Sequence, residues 1–387
     1  MKYFLVSGFF FLGYVYLSDL SGYRPQNHPE SNTDTTLTLL FAGDIMQHKV
    51  QIDAAWDDSL QTYSYDSCFR FVAPIIRDND VAVANFEFTL GGQPYTGYPQ
   101  FSAPDQIVNA LLYAGFDIVG TANNHSCDRG RKGIERTIHV LDSLGLKHIG
   151  TYMDSTARAD LYPMIIHKNG INLALLNYTY GTNGIPVPAP CLVNLIDTLQ
   201  IKTDLKRAQD SLPDKIIVFI HWGDEYHSYP NQYQQYFTRY CLNHGADIII
   251  GMHPHVIQKI EKLHYPDSNG REVFVAYSLG NFVSNQRDRY RDGGLMVKLR
   301  LEKHHNIVSI ADCGYYLSWV YVPDEKGKRR FYILPADQFI GSGGFTDSLS
   351  QQKMQQYMTD SRTLMQKESR GIEEFRFNIE TNTWRKK

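Results

Sequence analysis

The fold is decided by the stretch Asp247–Gln258, which reads D-I-I-I-G-M-H-P-H-V-I-Q. Asp247–Ile250 is too short for a helix and is rich in β-branched residues, which predicts a buried strand. Gly251 is expected to turn the backbone where that strand ends. The sequence therefore predicts a strand that stops just before two histidines.

The two histidines, His253 and His255, flank a proline. Pro254 fixes its own φ and keeps His253 out of the helical region, so both imidazoles lie on a stiff, non-helical segment. Stiffness suits a metal ligand because ordering a flexible segment costs about 1 to 2 kcal/mol per residue in backbone entropy. On this stretch alone, a pair of loop histidines without a ligand remains an open alternative.

The same pattern, an apolar strand followed by polar residues, recurs along the chain. It occurs at Thr36–Ala42 before Asp44, Val81–Ala84 before Asn85 and Glu87, Phe116–Gly120 before Asn123, Asn124 and His125, Lys215–Ile220 before His221, and Val273–Ala276 before Ser278 and Asn281. Ligands bind beyond the carboxyl ends of strands in α/β sheets, so these residues are expected to meet at one edge. Carboxylate, amide and imidazole groups are ligands for Mn, Fe or Zn.

Composition sets the broad class. The chain has 387 residues, 43% apolar and 20% charged, which is typical of a globular protein with one large domain or two modest ones. A formal net charge of -3 and the lack of a basic run argue against nucleic acid as a partner.

The N-terminal segment predicts export. Met1–Leu17 has one lysine followed by an apolar run, as in a secretory signal. The run is short for a membrane-spanning helix, which needs roughly 20 residues. No clear cleavage site follows, so residues 1–20 are either a signal peptide or a retained anchor, and residues 21–35 are a polar linker. A buried N-terminal strand is the alternative.

The five cysteines are odd in number and form no C-x-x-C pair, so neither a disulfide framework nor a zinc knuckle is expected. Cys127, next to the Asn-Asn-His run, is interpreted as a small packing residue.

Helices are expected between the strands. Residues 133–145 carry one apolar stripe at helical spacing, and residues 104–113 behave similarly. Residues 231–241 are expected to start at Asn231 as N-cap and to bury Tyr233, Phe237 and Tyr240. Residues 181–190 are too rich in Pro and Gly for regular structure and predict a surface loop near the strand ends, a candidate lid.

The predicted secondary structure changes in the C-terminal part of the chain. Four strands without intervening helices are expected at Leu295–Leu301, Ile307–Ala311, Tyr315–Val322 and Phe331–Leu334, followed by a helix at Phe345–Lys367. We interpret residues 302–387 as an antiparallel closing sheet and terminal helix of the same domain as residues 36–301.

Six short motifs occur in order between Leu37 and Leu301. They are Gly43-Asp44-Ile45-Met46, Asn85-Phe86-Glu87, Ala122-Asn123-Asn124-His125 with Asp128 and Gly130, His221-Trp222-Gly223 with Glu225-Tyr226, Gly245-Ala246-Asp247 with Gly251-Met252-His253-Pro254-His255, and Ser278-Leu279-Gly280-Asn281-Phe282. Together they resemble the capsule-synthesis CapA family, the poly-γ-glutamate synthesis proteins, related to the calcineurin-like metallophosphoesterases.

This resemblance implies a four-layer αββα sandwich and an exported or membrane-anchored protein. It implies action on a capsule or another extracellular anionic polymer, or on a phosphoester, with capsule-synthesis membrane proteins as possible partners. It also places six residues at metal positions: Asp44, Glu87, Asn124, His221, His253 and His255. Glu87 falls where these enzymes have a bridging carboxylate, and His125 where they have the acid that protonates the leaving group.

The chain departs from the wider superfamily where D-x-H is expected, because Met46 stands at the histidine position. A thioether is a poor ligand for a hard cation, so the site is expected to hold one or two divalent ions, one of them weakly. His48, two residues further on, is an alternative ligand.

The residues then predict the chemistry. Divalent ions in such a site lower the pKa of bound water from about 15.7 toward about 7, and His125 serves as general acid. Asp128 and Glu225 are expected to orient imidazoles, with plain surface carboxylates as the alternative. For His125 the alternative is a structural histidine in a tight turn.

Two classes of function follow. The first is a metal-dependent hydrolase or transferase acting on a phosphoester or a γ-glutamyl amide. The second is a non-catalytic, envelope-anchored assembly factor that keeps the fold and the metal site.

Overall fold

The computed structural model describes residues 35–266, 270–340 and 347–387. The predicted signal or anchor at residues 1–20, and the linker up to residue 34, lie outside the described residues. Among the residues described, no helix is both long and apolar enough to cross a membrane.

Helices and strands alternate in the first two thirds of the described chain. The helices are α1 (Lys49–Ala55), α2 (Asp66–Phe69), α3 (Ala73–Arg77), α4 (Gln106–Ala114), α5 (Gly130–Leu144), α6 (Ser155–Leu161), α7 (Thr198–Asp210), α8 (Gln232–Asn243) and α9 (Ser348–Glu368), with a 3-10 helix at Ala336–Phe339.

The strands are β1 (Thr35–Ile45), β2 (Trp56–Asp57), β3 (Thr62–Tyr63), β4 (Val81–Phe86), β5 (Ile118–Gly120), β6 (Lys147–Ile149), β7 (Thr151–Tyr152), β8 (Met164–Lys168), β9 (Ile171–Thr179), β10 (Leu192–Val193), β11 (Lys215–His221), β12 (Ile248–Met252), β13 (Ile260–Tyr265), β14 (Arg271–Ala276), β15 (Asn281–Val283), β16 (Gly293–His304), β17 (Ile307–Tyr321), β18 (Asp324–Glu325), β19 (Lys328–Arg329), β20 (Tyr332–Pro335), β21 (Glu373–Asn378) and β22 (Thr383–Lys386).

Two large sheets hold the strands whose ends were expected to carry the site. The first has ten strands in the order β22-β21-β17-β16-β1-β4-β5-β6, with β15 paired to β1 and β20 to β17. Its strands β1, β4, β5 and β6 are parallel. The second has six strands in the order β13-β14-β12-β11-β9-β8, parallel at its centre and antiparallel at both edges.

The two sheets pack face to face. Phe41 of β1 stacks on Phe219 of β11 with ring centroids 6.5 Å apart, and both rings are buried in the core between the sheets. On the opposite face of β1, Leu40 and Ala42 belong to a second core that includes residues of α2, α3 and α4. Helices α7 and α8 pack with the second sheet. These helix, sheet, sheet and helix layers confirm the predicted αββα fold class.

The C-terminal strands β16, β17 and β20 pair in antiparallel fashion, as expected. β16 also pairs with β1 along Thr35–Ala42, so these strands extend the first sheet. The two strands expected at 307–311 and 315–322 are one strand, β17. Strand β16 also runs through residues 301 and 302, so the first sheet continues across the predicted boundary between residues 36–301 and residues 302–387.

Gly251 does not turn the chain as predicted. It lies inside β12, opposite Ile220 of β11. The position needs a glycine for a different reason: a Cβ there would meet the Tyr277 carbonyl oxygen at 2.1 Å and Trp222 Nε1 at 2.5 Å. The turn comes two residues later, at His253, where φ is +99°.

Helix α8 begins after Asn231, whose side chain accepts a hydrogen bond from the Gln234 backbone N–H, as predicted. The predicted tyrosine stripe is wrong in one position, because Tyr233 is exposed whereas Phe237 is buried. The buried face is completed by Gln234 and Cys241. All five cysteines are buried and free, as expected from their spacing.

Candidate metal centre

The carboxyl ends of strands from both sheets deliver the site residues. Strands β1 and β4 of the first sheet set Asp44 opposite Asn85, with Glu87 two residues further on. In the second sheet, His221 at the end of β11 lies opposite Met252, the residue before His253. The predicted convergence of strand-end residues is therefore present. These residues come from strands of two sheets, and not from one sheet as expected.

Glu87 lies at the middle of this cluster and is fully buried. Its Oε1 is 3.7 Å from His221 Nε2 and 3.6 Å from His255 Nε2. On the other side of His255, Nδ1 lies 3.1 Å from Asp44 Oδ2. The Glu87 carboxylate is thus shared between two imidazoles, His221 at the end of β11 and His255 in the loop after β12.

The donor atoms form three overlapping triplets among the described residues, each with all atoms within 4.8 Å of one another: Glu87, His221 and His253; Asp44, Glu87 and His255; and Glu225, His253 and His255. Glu87 belongs to two triplets, which fits the bridging position implied by the CapA resemblance. Glu225 is exposed, and its carboxylate lies within 4.8 Å of ring nitrogens of His253 and His255. Glu225 is therefore close enough to be a metal ligand itself, and not only a residue that orients an imidazole.

The His-Pro-His segment holds its rings through an unusual backbone. His253 has φ +99° and His255 has φ +58°, both in the region that residues other than glycine rarely adopt. The His253 backbone N–H donates to Asp44 Oδ2 at 3.3 Å. Such conformations cost about 1 to 3 kcal/mol each and cluster at functional sites.

Asn124 also joins the cluster. Its Oδ1 lies 2.9 Å from His221 Nε2, and its Nδ2 donates to Asn183 Oδ1 at 3.2 Å. Asn183 belongs to the irregular stretch at residues 181–190, which therefore lies beside the site as expected; its role as a lid stays a prediction.

His125 is buried next to the cluster but is not part of any of the three triplets. Its Nδ1 lies 2.7 Å from Asp128 Oδ2, and the same oxygen accepts the Phe101 backbone N–H at 2.7 Å. The Phe101 ring packs edge-on against the imidazole, with centroids 4.6 Å apart. Asp128 and Phe101 together fix the orientation of the ring.

Several buried polar atoms of the cluster have no hydrogen-bond partner, namely Glu87 Oε1, His253 Nδ1 and Asn85 Oδ1. Leaving such atoms unpaired costs about 1 to 3 kcal/mol each, more for a charged group. Two donors that are each about 2.1 Å from one ion at a tetrahedral angle lie about 3.4 Å apart. The 3.6 and 3.7 Å separations at Glu87 Oε1 are close to that value. The residues present therefore fit a divalent metal.

The pKa shifts of the cluster residues also favour a divalent metal at this site. Burial raises the pKa of Glu87 well above its usual 4.5, and the Asp44 carboxylate acts in the same direction. Burial lowers the pKa of His221 and His253 well below 6.5, with a further contribution from neighbouring imidazoles. The imidazoles are therefore neutral, as metal ligands must be.

Among the described residues, His48 is not a member of any donor triplet. Met46 is buried in the core beneath the first sheet. The Nδ1 of His48 is 3.1 Å from Gln51 Oε1, and its ring packs edge-on against Phe101 with centroids 5.4 Å apart. His48 therefore does not replace the missing histidine in this arrangement.

Two further residues belong to the site. Asn85, which was expected at the strand ends but was given no role, is buried, and its Nδ2 donates to Asp44 Oδ1 at 2.7 Å and to Glu87 Oε2 at 3.1 Å. Tyr180 was not predicted: its ring packs on His253 with centroids 4.6 Å apart, and burial raises its pKa to about 12. The strand-end pattern could have found Tyr180 too, because it directly follows β9.

The family can now be stated from comparison with known proteins. Residues 38–286 match the family model of the bacterial capsule synthesis protein PGA_cap. The chain belongs to this family. Every residue of the three donor triplets lies inside the matched PGA_cap region.

The chain is similar to the capsule biosynthesis protein CapA of Bacillus anthracis, with 29% identity over 70% of this chain and 65% of that protein. The PGA biosynthesis protein CapA of Bacillus subtilis (strain 168) is 30% identical, over 70% of each chain. This chain thus spans slightly less than two thirds of the Bacillus anthracis relative.

Among solved structures, the NAD nucleotidase NadN of Haemophilus influenzae aligns with a TM-score of 0.48 and 14% identity, over 86% of this chain and 68% of that one. The calcineurin-like phosphoesterase YfkN of Bacillus subtilis aligns with a TM-score of 0.41 and 16% identity, over 85% of this chain and 98% of that one.

Proposed function

We propose that the protein is a metal-dependent hydrolase or transferase that acts on an extracellular polymer of the cell envelope, such as a capsule or poly-γ-glutamate. The bond cleaved or transferred is a phosphoester or a γ-glutamyl amide. The observation that carries the proposal is Glu87 Oε1, buried without a hydrogen-bond partner between His221 Nε2 and His255 Nε2.

Asp44, Glu87, Asn124, His221, His253 and His255 would hold one or two divalent ions of Mn, Fe or Zn, with Glu225 as a further donor at the exposed side. When bound, a divalent ion supplies Lewis acidity and a nucleophilic water at neutral pH. Asn85 keeps the Asp44 and Glu87 carboxylates in place through its two hydrogen bonds.

His125 carries the proton to the leaving group in this proposal. Asp128 accepts from Nδ1–H, which leaves Nε2 to meet the substrate. A general acid of this kind contributes about 10² to 10⁴ in rate. Tyr180 stays protonated at neutral pH because its pKa is raised, so its hydroxyl can donate to an oxygen of the substrate.

We further propose that the protein is exported, because an apolar run follows the positively charged start and precedes a polar spacer at residues 1–35. Fusion of a reporter that is active only outside the cytoplasm after Thr36 should give active reporter. Activity of a cytoplasm-only reporter at the same position would contradict export.

The enzymatic proposal is tested with purified protein. Elemental analysis should find Mn, Fe or Zn, and a panel of phosphomonoesters, phosphodiesters and γ-glutamyl polymers should contain at least one substrate. Chelation should abolish turnover, and the missing ion should restore it. Protein that retains metal but turns over none of these compounds would instead be an assembly factor.

A further inference from the structure

A second concave surface lies next to the candidate metal centre. It is a cavity of about 370 Å³ between the chain after His255 and helix α9. Its lining residues are Ser228, Tyr229, Val256, Ile257, Tyr290, Tyr357, Asp360, Ser361, Thr363, Leu364 and Lys367. The volume is within the range of about 300 to 1,000 Å³ that is usual for ligand pockets.

Two of the lining segments are continuous in the chain with residues at the candidate metal centre. Val256 and Ile257 follow His255 in the chain. Tyr229 lies in the loop 222–231, which also contains Tyr226, whose ring centroid is 6.1 Å from that of His255. Successive Cα atoms are about 3.8 Å apart, so each connection is only a few residues long.

A third segment makes the same connection from the other side. Tyr290 lines the cavity, and the guanidinium of the next residue, Arg291, lies 4.3 Å from the ring centroid of Tyr226. A chain molecule with one unit at the metal centre could therefore place its neighbouring unit in the cavity.

Two tyrosine rings in the cavity wall are held in place and remain accessible. The Nζ of Lys367 lies 5.6 Å from the ring centroid of Tyr229, and the guanidinium of Arg289 lies 5.0 Å from that of Tyr290. The two tyrosines are still 55% and 44% exposed. Rigid aromatic faces provide large contact area at low entropic cost.

The charges of the lining do not favour a polyanion. Asp360 and Lys367 carry opposite charges and are already paired, Asp360 with Arg289 at 2.8 Å and Lys367 with Glu368 at 3.3 Å. The remaining polar groups are hydroxyls, including Ser228, Ser361 and Thr363. A γ-glutamyl chain has one carboxylate per unit and would need cations here, whereas a sugar ring offers an apolar face and hydroxyls.

We propose that this cavity is a subsite for one sugar unit of the polymer substrate, with its ring against Tyr229 and Tyr290. The proposal rests on the polymer-directed function proposed above and names its substrate class as a glycan. Tyr290 and helix α9 lie outside the family-matched residues 38–286. The subsite therefore joins a wall of the family region to a wall contributed by the C-terminal part of this chain.

Binding to the full-length protein as purified tests the proposal. The probes are neutral and N-acetylated oligosaccharides of two to four units, with uronic-acid oligosaccharides and γ-glutamyl oligomers of the same lengths as anionic comparisons, measured by ligand-observed NMR and calorimetry. We expect at least one uncharged oligosaccharide to bind more tightly than the anionic ones. Tyr229→Ala and Tyr290→Ala should each weaken it about threefold to tenfold, as expected for one lost aromatic contact.

Two matched variants keep the result interpretable. Tyr229→Phe retains the ring and should bind within about twofold of wild type, because the proposed contact is with the ring face. Tyr113→Ala removes a tyrosine that is 52% exposed on α4 and has Arg77 over its ring at 4.4 Å, but lies outside the cavity. It should leave sugar binding unchanged.

Three results would contradict the proposed sugar subsite. Either no oligosaccharide binds, or neither Tyr229→Ala nor Tyr290→Ala weakens oligosaccharide binding, or γ-glutamyl oligomers bind instead and these two variants weaken their binding. Binding is measured without turnover, so an inactive protein would refute the enzymatic proposal without deciding this one.

Discussion

His125 Nδ1 lies 2.7 Å from Asp128 Oδ2, and both side chains are buried. The same carboxylate oxygen accepts the Phe101 backbone N–H, so its position is fixed from two directions. A carboxylate held in this way orients the imidazole and sets which nitrogen carries the proton. In the acid role proposed for His125, this hydrogen bond leaves Nε2 as the nitrogen that meets the substrate.

Asp128→Asn tests this orientation. An amide can present its NH₂ to Nδ1 and favour the wrong tautomer, so kcat should fall about 10- to 100-fold while metal content stays unchanged. Asp142→Asn is the matched control, because Asp142 Oδ1 lies 3.1 Å from His148 Nε2 at a distance from the cluster. Loss of metal in Asp128→Asn would show that the carboxylate acts on the ligands and not on the acid.

Glu87→Ala and His253→Ala should each remove most of the bound metal. Each residue takes part in two of the three donor triplets of the described chain, so its loss leaves only one triplet complete: Glu225, His253 and His255 after Glu87→Ala, and Asp44, Glu87 and His255 after His253→Ala. Elemental analysis of the purified variants measures this, with His139→Ala on the exposed side of α5 as control. Unchanged metal in both variants would refute the assignment of the site.

Gly251→Ala should lower the free energy of unfolding by about 1 to 3 kcal/mol, because the added Cβ must displace the Tyr277 carbonyl or the Trp222 indole. That displacement also breaks the 3.0 Å hydrogen bond between those two groups. Urea unfolding measures the loss. Gly181→Ala is the control, since nothing lies within 4 Å of the position that its Cβ would take and no positive φ opposes the change. Equal stability of the two variants would contradict the crowding explanation.

The strand ends were predictable from the sequence because their signals are local. A run of β-branched residues followed by Asp, Asn or His identifies the ends of β1, β4, β11 and β12 without knowledge of the fold. Those four ends bring together Asp44, Glu87, His221 and His253.

What the sequence did not reveal depends on contacts between distant segments. The apolar pattern of β16 cannot indicate that it pairs with β1, which lies more than 200 residues earlier. Gly251 looked like a turn residue because the close approach of Tyr277 and Trp222 leaves no local signal. The strand-end pattern placed Asn85 near the site, but it could not indicate that its amide donates to the carboxylates of both Asp44 and Glu87.

His48 should make the stability of metal-free protein depend on pH. Burial lowers its pKa from 6.5 to about 4, partly opposed by the hydrogen bond to Gln51. A lowered pKa in the folded state means that the unfolded chain gains this proton first as pH falls. The stabilising contribution is therefore fully present above pH 6.5 and is lost toward pH 4, on the order of 2 kcal/mol.

Urea unfolding of chelator-treated wild type and His48→Gln at several pH values measures this contribution. The variant should lose less stability than wild type between neutral pH and about pH 4.5, because the other titrating groups are common to both proteins. Parallel pH profiles for the two proteins would show that His48 does not titrate differently on folding.

His125→Ala should keep its metal and lose turnover, whereas His221→Ala should lose both. His221 belongs to a donor triplet, but the Nδ1 of His125 is occupied by Asp128 and its ring lies outside the triplets of the described residues. A leaving-group acid stabilises only the transition state, so its removal lowers kcat by about 10² to 10⁴ without changing metal affinity. The loss should shrink for a nitrophenyl ester, whose leaving group departs without a proton. Equal losses on nitrophenyl and alkyl esters would contradict the acid role, and parallel loss of metal and activity would place His125 among the ligands.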